Sequence, residues 1–397
     1  MSTSISTNEH TPAGKAAPPL PRPRWQTLLL WGAIVALLAL AVWMRLYSLG
    51  QPFDRDGYDE GVYWQTLRSM SAGYTLYQQV FYSQPPFFIL SVYPFFALFG
   101  NTLWSARFGI AVVSLVGLPG AFMLGKALQG RISALAAMLL LILDPLYLSL
   151  SQKIEAEASS TAFSFLAVGA AYLWWRNPDG TSGLFLAALA GVALVLGILC
   201  KLLAVSSIVP IGLLLVARLW QTYSKQPGTS QRSWYAIAVL ILASLVTSAV
   251  VLLPFLGSYS STISDVITFH NQAMAVLINS RVHNESMILG LMLSVLPLLI
   301  AAAFGSIVAI IRADWRVFPL LAWALVSLIL LARQVPLFPR HFVSLIPPLI
   351  SLAILGFGYI GHARTSLSSL TFARVLTVIA ALLLLAVVYV DVPQYRA

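Results

Sequence analysis

The apolar stretch PPFFILSVYPFFALFG, residues 85–100, decides how the chain is arranged. It is short, it begins with two prolines, and it contains a third proline, Pro94. A helix needs about 20 apolar residues to cross a bilayer, and an internal proline removes a backbone donor and kinks the helix. We therefore predict that this stretch is a re-entrant or interfacial segment that does not cross the membrane.

The rest of the sequence is typical of a polytopic membrane protein. Of its 397 residues, 59% are hydrophobic and only 9% are charged, and long apolar runs recur along most of the chain. Such a composition excludes a soluble globular protein. The net charge of +10 does not indicate nucleic-acid binding, because the basic residues stand singly at the ends of apolar runs. The single cysteine, Cys200, allows no internal disulfide.

Eleven apolar segments are long enough to cross a hydrocarbon core of about 30 Å. We place them at residues 26–47, 103–125, 132–150, 158–175, 183–200, 202–219, 234–256, 287–311, 317–332, 343–361 and 373–390. The predicted fold class is thus an all-α polytopic membrane protein with about 11 transmembrane helices. A disordered cytoplasmic tail, residues 1–25, precedes a membrane domain, residues 26–397, whose first outer loop at 48–102 contains juxtamembrane helices.

The placement of charges predicts the orientation. If residues 85–100 do not cross, 13 of the 23 Lys and Arg residues fall on one side, and this count drops to 10 if they do cross. Cytoplasmic loops carry the excess of basic residues, so we place the N-terminus in the cytoplasm. Ten of the 13 acidic residues then fall on the outer side, which predicts an extracytoplasmic active site.

The stretch DRDGYDEGVYW, residues 54–64, gathers four of the 13 acidic residues. Apolar residues at helical spacing follow and predict a short amphipathic helix at the membrane surface. They are Tyr63, Leu67 and Met70. Asp59 and Glu60 have two readings: they cap this helix and complement its dipole, or one of them is a carboxylate base at the membrane–water boundary.

A second acidic group, Glu155 and Glu157, lies in QKIEAEASS, residues 152–160, between two predicted spans. One reading is a solvated loop with an ion pair between Lys153 and Glu157. The other is that Glu157 starts the next helix and faces the first acidic group across a cavity.

Basic residues stand at the ends of several predicted spans, and each alone is typical of a snorkelling anchor. They are Arg107, Lys201, Arg333, Arg340 and His341. Together they would place several cations beside two acidic groups, an arrangement that suits the phosphate of a lipid. Neutral hydrogen bonds to a polar headgroup or sugar are expected from Tyr58, Tyr63, Tyr82 and Gln84.

Several other chemistries lack a signal in this sequence. It contains no His/Cys cluster with metal-ligand spacing, no GxxxxGK[ST] loop and no GxSxG elbow. No cofactor is required by the residues. A divalent metal bridging Asp59 and Glu157 stays open as an alternative.

Short motifs in a fixed order resemble a known family. They are the Asp-Glu pair at 59–60, YSQPPFFIL, FGNTLWSARFGIAVVSLVG, SQKIEAEASSTAFSFLAV and GVALVLGILCK. Together they cover most of residues 59–201 and resemble the integral-membrane glycosyltransferases of the GT-C fold. The similarity is to the protein O-mannosyltransferase and aminoarabinose-transferase-like superfamily in particular. Beyond residue 201 the similarity is weaker.

The resemblance implies a sugar donor carried on a polyprenyl phosphate and transfer on the outer face of the membrane. It implies a catalytic carboxylate at Asp59 or Glu60, and it maps conserved family positions onto Arg107, Glu157 and Lys201. The chain departs from the family at Gln84, where many members have His or Lys before Pro-Pro. It departs again at KIEAE, where many have a basic residue and proline before the second acid.

The resemblance therefore predicts a glycosyltransferase, of hexosyl or pentosyl groups, that inverts the anomeric centre. Its partners would be the polyprenyl-phosphate sugar, a lipid, glycan or protein acceptor and membrane lipids, with no nucleic acid. We expect a multi-pass protein of a bacterial plasma membrane. The alternatives are a transporter or lipid flippase, which would need polar groups inside its spans, and a scaffold subunit of a polysaccharide assembly machine.

Overall fold

The computed structural model describes residues 24–53, 58–178, 180–224, 232–276 and 281–366, and these residues are mainly helical. Within these ranges the only strand-like pairing is an isolated bridge between Leu76 and Val80. The predicted all-α class is therefore confirmed. Of the tail predicted at residues 1–25, the structure describes the last two residues, and these begin the first helix.

Seventeen α-helices follow one another along the described ranges. They are α1 Arg24–Leu46, α2 Tyr58–Ser71, α3 Phe87–Leu98, α4 Leu103–Ser114, α5 Gly117–Gln129, α6 Arg131–Leu143, α7 Pro145–Leu150, α8 Ala156–Arg176, α9 Gly180–Cys200, α10 Ile208–Tyr223, α11 Arg232–Leu252, α12 Tyr259–Ile263, α13 Phe269–Val276, α14 Arg281–Ser294, α15 Leu296–Ile311, α16 Val317–Arg333 and α17 Ile346–Ser366. Short 3₁₀ turns lie at Leu202–Ser207, Leu253–Ser258 and Pro339–Leu345, and a π-helical turn lies at Ser264–Thr268.

The predicted count of 11 spans is not reached in the described residues. Six helical stretches there are long and apolar enough to cross a membrane: Trp25–Leu46, Leu103–Gln129, Gly180–Cys200, Leu202–Tyr223, Trp234–Val276 and Pro339–Tyr359. The segment predicted at 287–311 is a pair of helices bent by 82°, which makes a seventh if the pair is one span. The last predicted span, 373–390, lies outside the described residues.

Three of the other predicted spans take a different form. The two predicted at 132–150 and 317–332 correspond to shorter apolar helices, Arg131–Leu143 and Val317–Arg333. The helix Arg131–Leu143 ends where Asp144 caps a new helix that begins at Pro145. The span at 158–175 lies within α8, a 21-residue helix whose first half is rich in Glu, Ser and Thr. The described residues therefore do not confirm the predicted count of 11 spans.

The proline-led stretch forms α3, a helix of 12 residues with Pro94 inside it. Its length of about 18 Å is well below the thickness of a hydrocarbon core. One side of α3 packs on α4, where the rings of Phe95 and Phe108 lie 5.9 Å apart. The other side meets α2, where Tyr63 contacts Phe88 edge to face at 5.2 Å. The predicted first outer loop is therefore helical, and α3 is too short to cross.

The centre of the bundle is α8, in which 17 of 21 residues are buried. It packs closely on α5, because a Cβ added to Gly169 would lie 2.3 Å from the backbone oxygen of Gly120. Glu157 is in the first turn of α8 and Arg176 is its last residue, about 28 Å further along the axis. We call these the acidic end and the basic end of α8.

Candidate active site

Arg340 brings together two acidic groups that are far apart in the sequence. Its guanidinium donates to the carboxylate of Asp59 on α2. Its Nε lies 3.3 Å from Oε1 of Glu157 and 3.8 Å from Oε2 of Glu155. The 3₁₀ turn that precedes α17 positions Arg340, and the guanidinium also lies over the ring of Phe338, 4.3 Å from its centroid. Asp59 and Glu157 therefore share one arginine.

Glu157 also contacts a lysine and a histidine. Lys201, which follows α9, donates to Oε1 of Glu157, and Nε2 of His341 lies 3.6 Å from the same oxygen. Glu157, Lys201 and His341 are all buried. Because burying charge is costly unless it is paired, this compact arrangement ties α8, α9 and the start of α17 to one another. We call Asp59, Glu155, Glu157, Lys201, Arg340 and His341 the ion cluster.

Glu155 is a buried carboxyl group of the ion cluster. Burial and the negative charge of Glu157 raise the pKa of Glu155 to about 8, although the positive charges of Arg340 and Lys201 oppose this shift. These surroundings therefore favour the protonated form of Glu155.

A small polar cavity adjoins the ion cluster. It has a volume of about 20 Å³, enough for one water molecule. Glu157, Lys201 and His341 line one part of it. The hydroxyls around it come from Ser160, Thr161, Ser164, Ser206 and Ser344. These hydroxyl residues were not predicted from the sequence, although the run SSTAFS at 159–164 places polar residues inside a predicted span. The polar region therefore extends from the ion cluster into the helix bundle through these hydroxyl groups.

Glu60 and Arg107 form a separate, fully satisfied pair. Arg107 donates through Nε and Nη2 to the two oxygens of Glu60, each at 2.7 Å, and the backbone N–H of Ile154 donates to Oε1 of Glu60 at 3.0 Å. Arg107 also donates to the carbonyls of Leu49 and Gln51. Both side chains are buried. The pair therefore holds α2, α4 and two loops together.

The predicted neutral residues lie in different surroundings. Tyr63 is buried beside the cluster, where burial and the negative charges of Glu157 and Asp59 raise its pKa. Tyr82 packs on Tyr63 with ring centroids 5.9 Å apart, and its own pKa is raised by burial. The backbone carbonyl of Gln84 accepts from the hydroxyl of Tyr77 at 2.7 Å. An aromatic layer thus lies under one side of the cluster.

Two predicted site residues stand apart from the ion cluster. Tyr58 begins α2 and is 81% exposed, and Arg333 is exposed at the end of α16. Neither makes a described ion pair with the cluster. Asp54 and Asp56, from the first acidic group, lie outside the described residues.

The two carboxylates considered from the sequence as a metal bridge, Asp59 and Glu157, both contact Arg340. Among the described residues there is no group of three or more His, Cys, Asp or Glu side chains that could hold a metal ion. Asp59 and Glu157, the pair considered as a bridge, are instead joined through the guanidinium of Arg340. A cation is therefore already present where the two carboxylates meet.

Comparisons with known proteins agree with this architecture. Residues 74–257 match the model of the family described as dolichyl-phosphate-mannose-protein mannosyltransferase. A comparison with curated proteins found no significant match in sequence. The family match includes Glu155, Glu157 and Lys201, and it stops before Arg340.

Solved structures extend the similarity over most of the chain. ArnT from Cupriavidus metallidurans bound to undecaprenyl phosphate is 18% identical, with a TM-score of 0.56 over 92% of this chain and 73% of that one. The apo form of ArnT gives a TM-score of 0.57 at 18% identity, over 92% of this chain and 72% of that one. The Archaeoglobus fulgidus oligosaccharyltransferase complex with zinc and sulfate is 16% identical, with a TM-score of 0.52 over 91% of this chain and 52% of that one.

The fold is that of the GT-C glycosyltransferases, and the resemblance inferred from the sequence is confirmed. Together with the apolar helices, the comparisons indicate a multi-pass membrane protein of this fold, and the family match over residues 74–257 supports a glycosyltransferase.

Proposed function

We propose that the chain transfers a sugar from a polyprenyl-phosphate-linked donor to a hydroxyl or amine acceptor. The observation that carries this proposal is the meeting of Asp59 and Glu157 on Arg340, beside Lys201. A base, a phosphate-binding arginine and a second cation are the groups that such a transfer needs. The family description names dolichyl-phosphate-mannose, and one ArnT structure holds undecaprenyl phosphate, so related proteins recognise lipid phosphates.

The donor phosphate binds at Arg340 and Lys201. A guanidinium can donate two parallel hydrogen bonds to a phosphate, and an ammonium adds a point charge. Both cations now contact carboxylates. A phosphate that enters the site competes with Asp59 for Arg340 and leaves the Asp59 carboxylate free to accept a proton. Arg107 is not part of this donor site, because its donors are taken by Glu60 and backbone carbonyls.

Asp59 is the proposed base. Its side chain is 29% exposed, whereas that of Glu60 is completely buried and held by Arg107. The acceptor oxygen or nitrogen loses its proton to Asp59 as it bonds to the anomeric carbon. The bond between that carbon and the phosphate oxygen breaks, and its electron pair stays on the phosphate, where Arg340 and Lys201 stabilise the charge. A single displacement inverts the anomeric centre.

The reaction takes place on the extracytoplasmic side. The ion cluster is at the acidic end of α8, and Lys126, Arg131 and Arg176 are near its basic end. Because basic residues favour the cytoplasmic side, this distribution supports an orientation in which the acidic end of α8 faces outward.

The proposed mechanism uses no metal, since Arg340 provides the positive charge between Asp59 and Glu157. Removal of divalent ions with EDTA is expected to leave turnover unchanged. If EDTA abolishes turnover and Mg²⁺ or Mn²⁺ restores it, a metal belongs in the mechanism.

The proposed activity is tested with purified chain and a radiolabelled polyprenyl-phosphate sugar, measuring the release of polyprenyl phosphate and the transfer of label. Asp59→Asn should lower turnover by about 10²–10⁴-fold, because a positioned base contributes that much. Tyr58→Phe, at an exposed neighbouring position, should retain turnover. Full activity of a folded Asp59→Asn protein would contradict the assignment of the base. Absence of any donor cleavage by the wild-type chain would contradict the transferase and favour a scaffold.

A further inference from the structure

A second, larger cavity lies near the basic end of α8. Its volume is about 940 Å³. Its walls come from the beginning of α1, the end of α5, the beginning of α6, the end of α8 and α17. It is about 28 Å along the α8 axis from Glu157, so it is distinct from the proposed donor site.

The charge of this cavity is positive. Lys126, Arg131 and Arg176 line it, and none of its lining residues is acidic. Arg176 is exposed, and its Nη1 donates to the carbonyl of Ala127 at 2.9 Å. Asp314 is the described acid that neighbours this end, and its carboxylate is already bound by Arg316 and by the hydroxyl of Tyr359. Among the described residues, the three cations therefore have no carboxylate partner.

Two further features of the cavity suit an anion. The helix α6 begins at Arg131 after Gly130, which provides no side-chain cap, so its first N–H groups are not capped by a side chain. A helix N-terminus attracts phosphate and carboxylate groups. Gln129 lines the same cavity, and its buried side-chain nitrogen has no hydrogen-bond partner among the described residues.

The other walls of the cavity are apolar. They are contributed by Leu29, Leu30, Ile132, Leu135, Leu173 and Phe357. A free phosphate ion would fill little of this volume and would leave these walls without a partner. A molecule with both an anionic headgroup and hydrocarbon chains matches the charge, the size and the apolar surface together.

We propose that this cavity is a binding site for an anionic phospholipid. The phosphate lies at the beginning of α6 between Lys126 and Arg131, within reach of Gln129. The acyl chains lie against the apolar wall between α1, α6 and α8. The site binds the lipid without reacting with it, and it is independent of the transfer reaction.

The test compares the full-length protein in two kinds of nanodisc, one of phosphatidylcholine alone and one of phosphatidylcholine mixed with phosphatidylglycerol. The melting temperature is measured in both. Native mass spectrometry measures how much phosphatidylglycerol the protein retains. We expect phosphatidylglycerol to raise the melting temperature of the wild type. The double variant Lys126→Gln/Arg131→Gln should bind phosphatidylglycerol at least about tenfold more weakly, because each basic side chain contributes about a factor of five or more. Arg312→Gln removes an exposed cation at the same end that does not line the cavity, and it should bind like the wild type.

Equal retention of phosphatidylglycerol by the double variant and the wild type would overturn the proposal. So would a wild type that shows no preference for phosphatidylglycerol over phosphatidylcholine. Inorganic phosphate added to detergent-solubilised protein should not raise the melting temperature. An increase equal to that from phosphatidylglycerol would assign the cavity to a free anion and exclude the lipid. Donor cleavage is measured in parallel, and retention of that activity by the double variant shows that the two sites are independent.

Discussion

At the scale of single residues, Asp59 and Glu60 are adjacent in the sequence but differ in their surroundings. Glu60 is enclosed by Arg107 and by the backbone of Ile154, whereas Asp59 reaches Arg340 and remains partly exposed. The sequence could identify the pair but could not choose between its members. The choice depends on Arg107, 47 positions away, and on which side of α2 faces α4.

Glu60→Gln is expected to act on stability more than on chemistry. The change leaves the buried guanidinium of Arg107 without its charged partner, which costs about 3–5 kcal/mol for a broken buried ion pair. The melting temperature of the purified protein should fall clearly, and the protein that remains folded should still cleave the donor. Loss of turnover without loss of stability would instead make Glu60 a catalytic group.

Glu155→Gln is expected to change how stability depends on pH. The pKa of Glu155 is raised to about 8 by burial and by Glu157, so the folded protein retains a proton that the unfolded chain releases near its ordinary pKa. Between about pH 5 and pH 8 the native state therefore binds more protons than the unfolded state, and stability decreases as pH rises. The glutamine variant lacks this contribution.

Melting temperatures of the wild type and of Glu155→Gln, measured from pH 5 to pH 9, provide the test. The wild type should lose more stability than the variant as pH rises toward 8. The other charged groups facing Glu155 are Asp59, Glu157, Lys201 and Arg340, and they are unchanged in the variant. Parallel curves for the two proteins would show that Glu155 is ionised throughout.

At the scale of helices, the contact between α5 and α8 positions the site. Gly120 and Gly169 allow the two backbones to approach closely, and each would meet backbone atoms if a Cβ were added. The sequence predicted that the first outer loop contains helices and that Pro85–Gly100 is too short to cross, because length and proline content are local properties. The bend between α14 and α15 was not predicted, although Pro297, in the first turn of α15, is a local signal for a break in a helix.

Gly169→Ala is expected to destabilise the bundle by about 1–3 kcal/mol, the usual cost of adding atoms to a tightly packed core. The new Cβ would lie 2.3 Å from the backbone oxygen of Gly120, so α8 must move. Gly212→Ala on α10 is the matched control, because no atom lies within 4 Å of its Cβ position. That change should leave the melting temperature equal or higher, since alanine favours helix. Equal stability of the two variants would contradict the close contact.

At the scale of the whole molecule, segments from distant parts of the chain complete one site. Glu157 and Lys201 lie within residues 74–257, which match the family model, whereas Asp59 and Arg340 lie outside that match. Among the five basic residues considered from the sequence, only Lys201, Arg340 and His341 enter the ion cluster. Arg333 and Arg340 have the same charge and both lie beside a predicted span. Only the three-dimensional structure therefore distinguishes Arg340, which is in the ion cluster, from Arg333, which is not.

The proposed orientation can be measured by chemical labelling. Tyr58→Cys and Arg312→Cys are made separately in a Cys200→Ala background, because both positions are exposed. A membrane-impermeant maleimide added to intact cells should label position 58 from outside. Position 312 should be labelled only after the cells are opened. Labelling of position 312 in intact cells would reverse the proposed orientation.

The rigid position of α8 connects the protein to the thickness of its bilayer. The helical geometry of α8 sets the distance of about 28 Å between its two ends, and its backbone lies close against that of α5. In a membrane with a much thicker or thinner hydrocarbon core, the lipids must deform or the whole protein must tilt. Either adjustment changes the depth at which the isoprenoid chain of the proposed donor meets Arg340, so membrane thickness becomes a variable of the proposed transfer reaction.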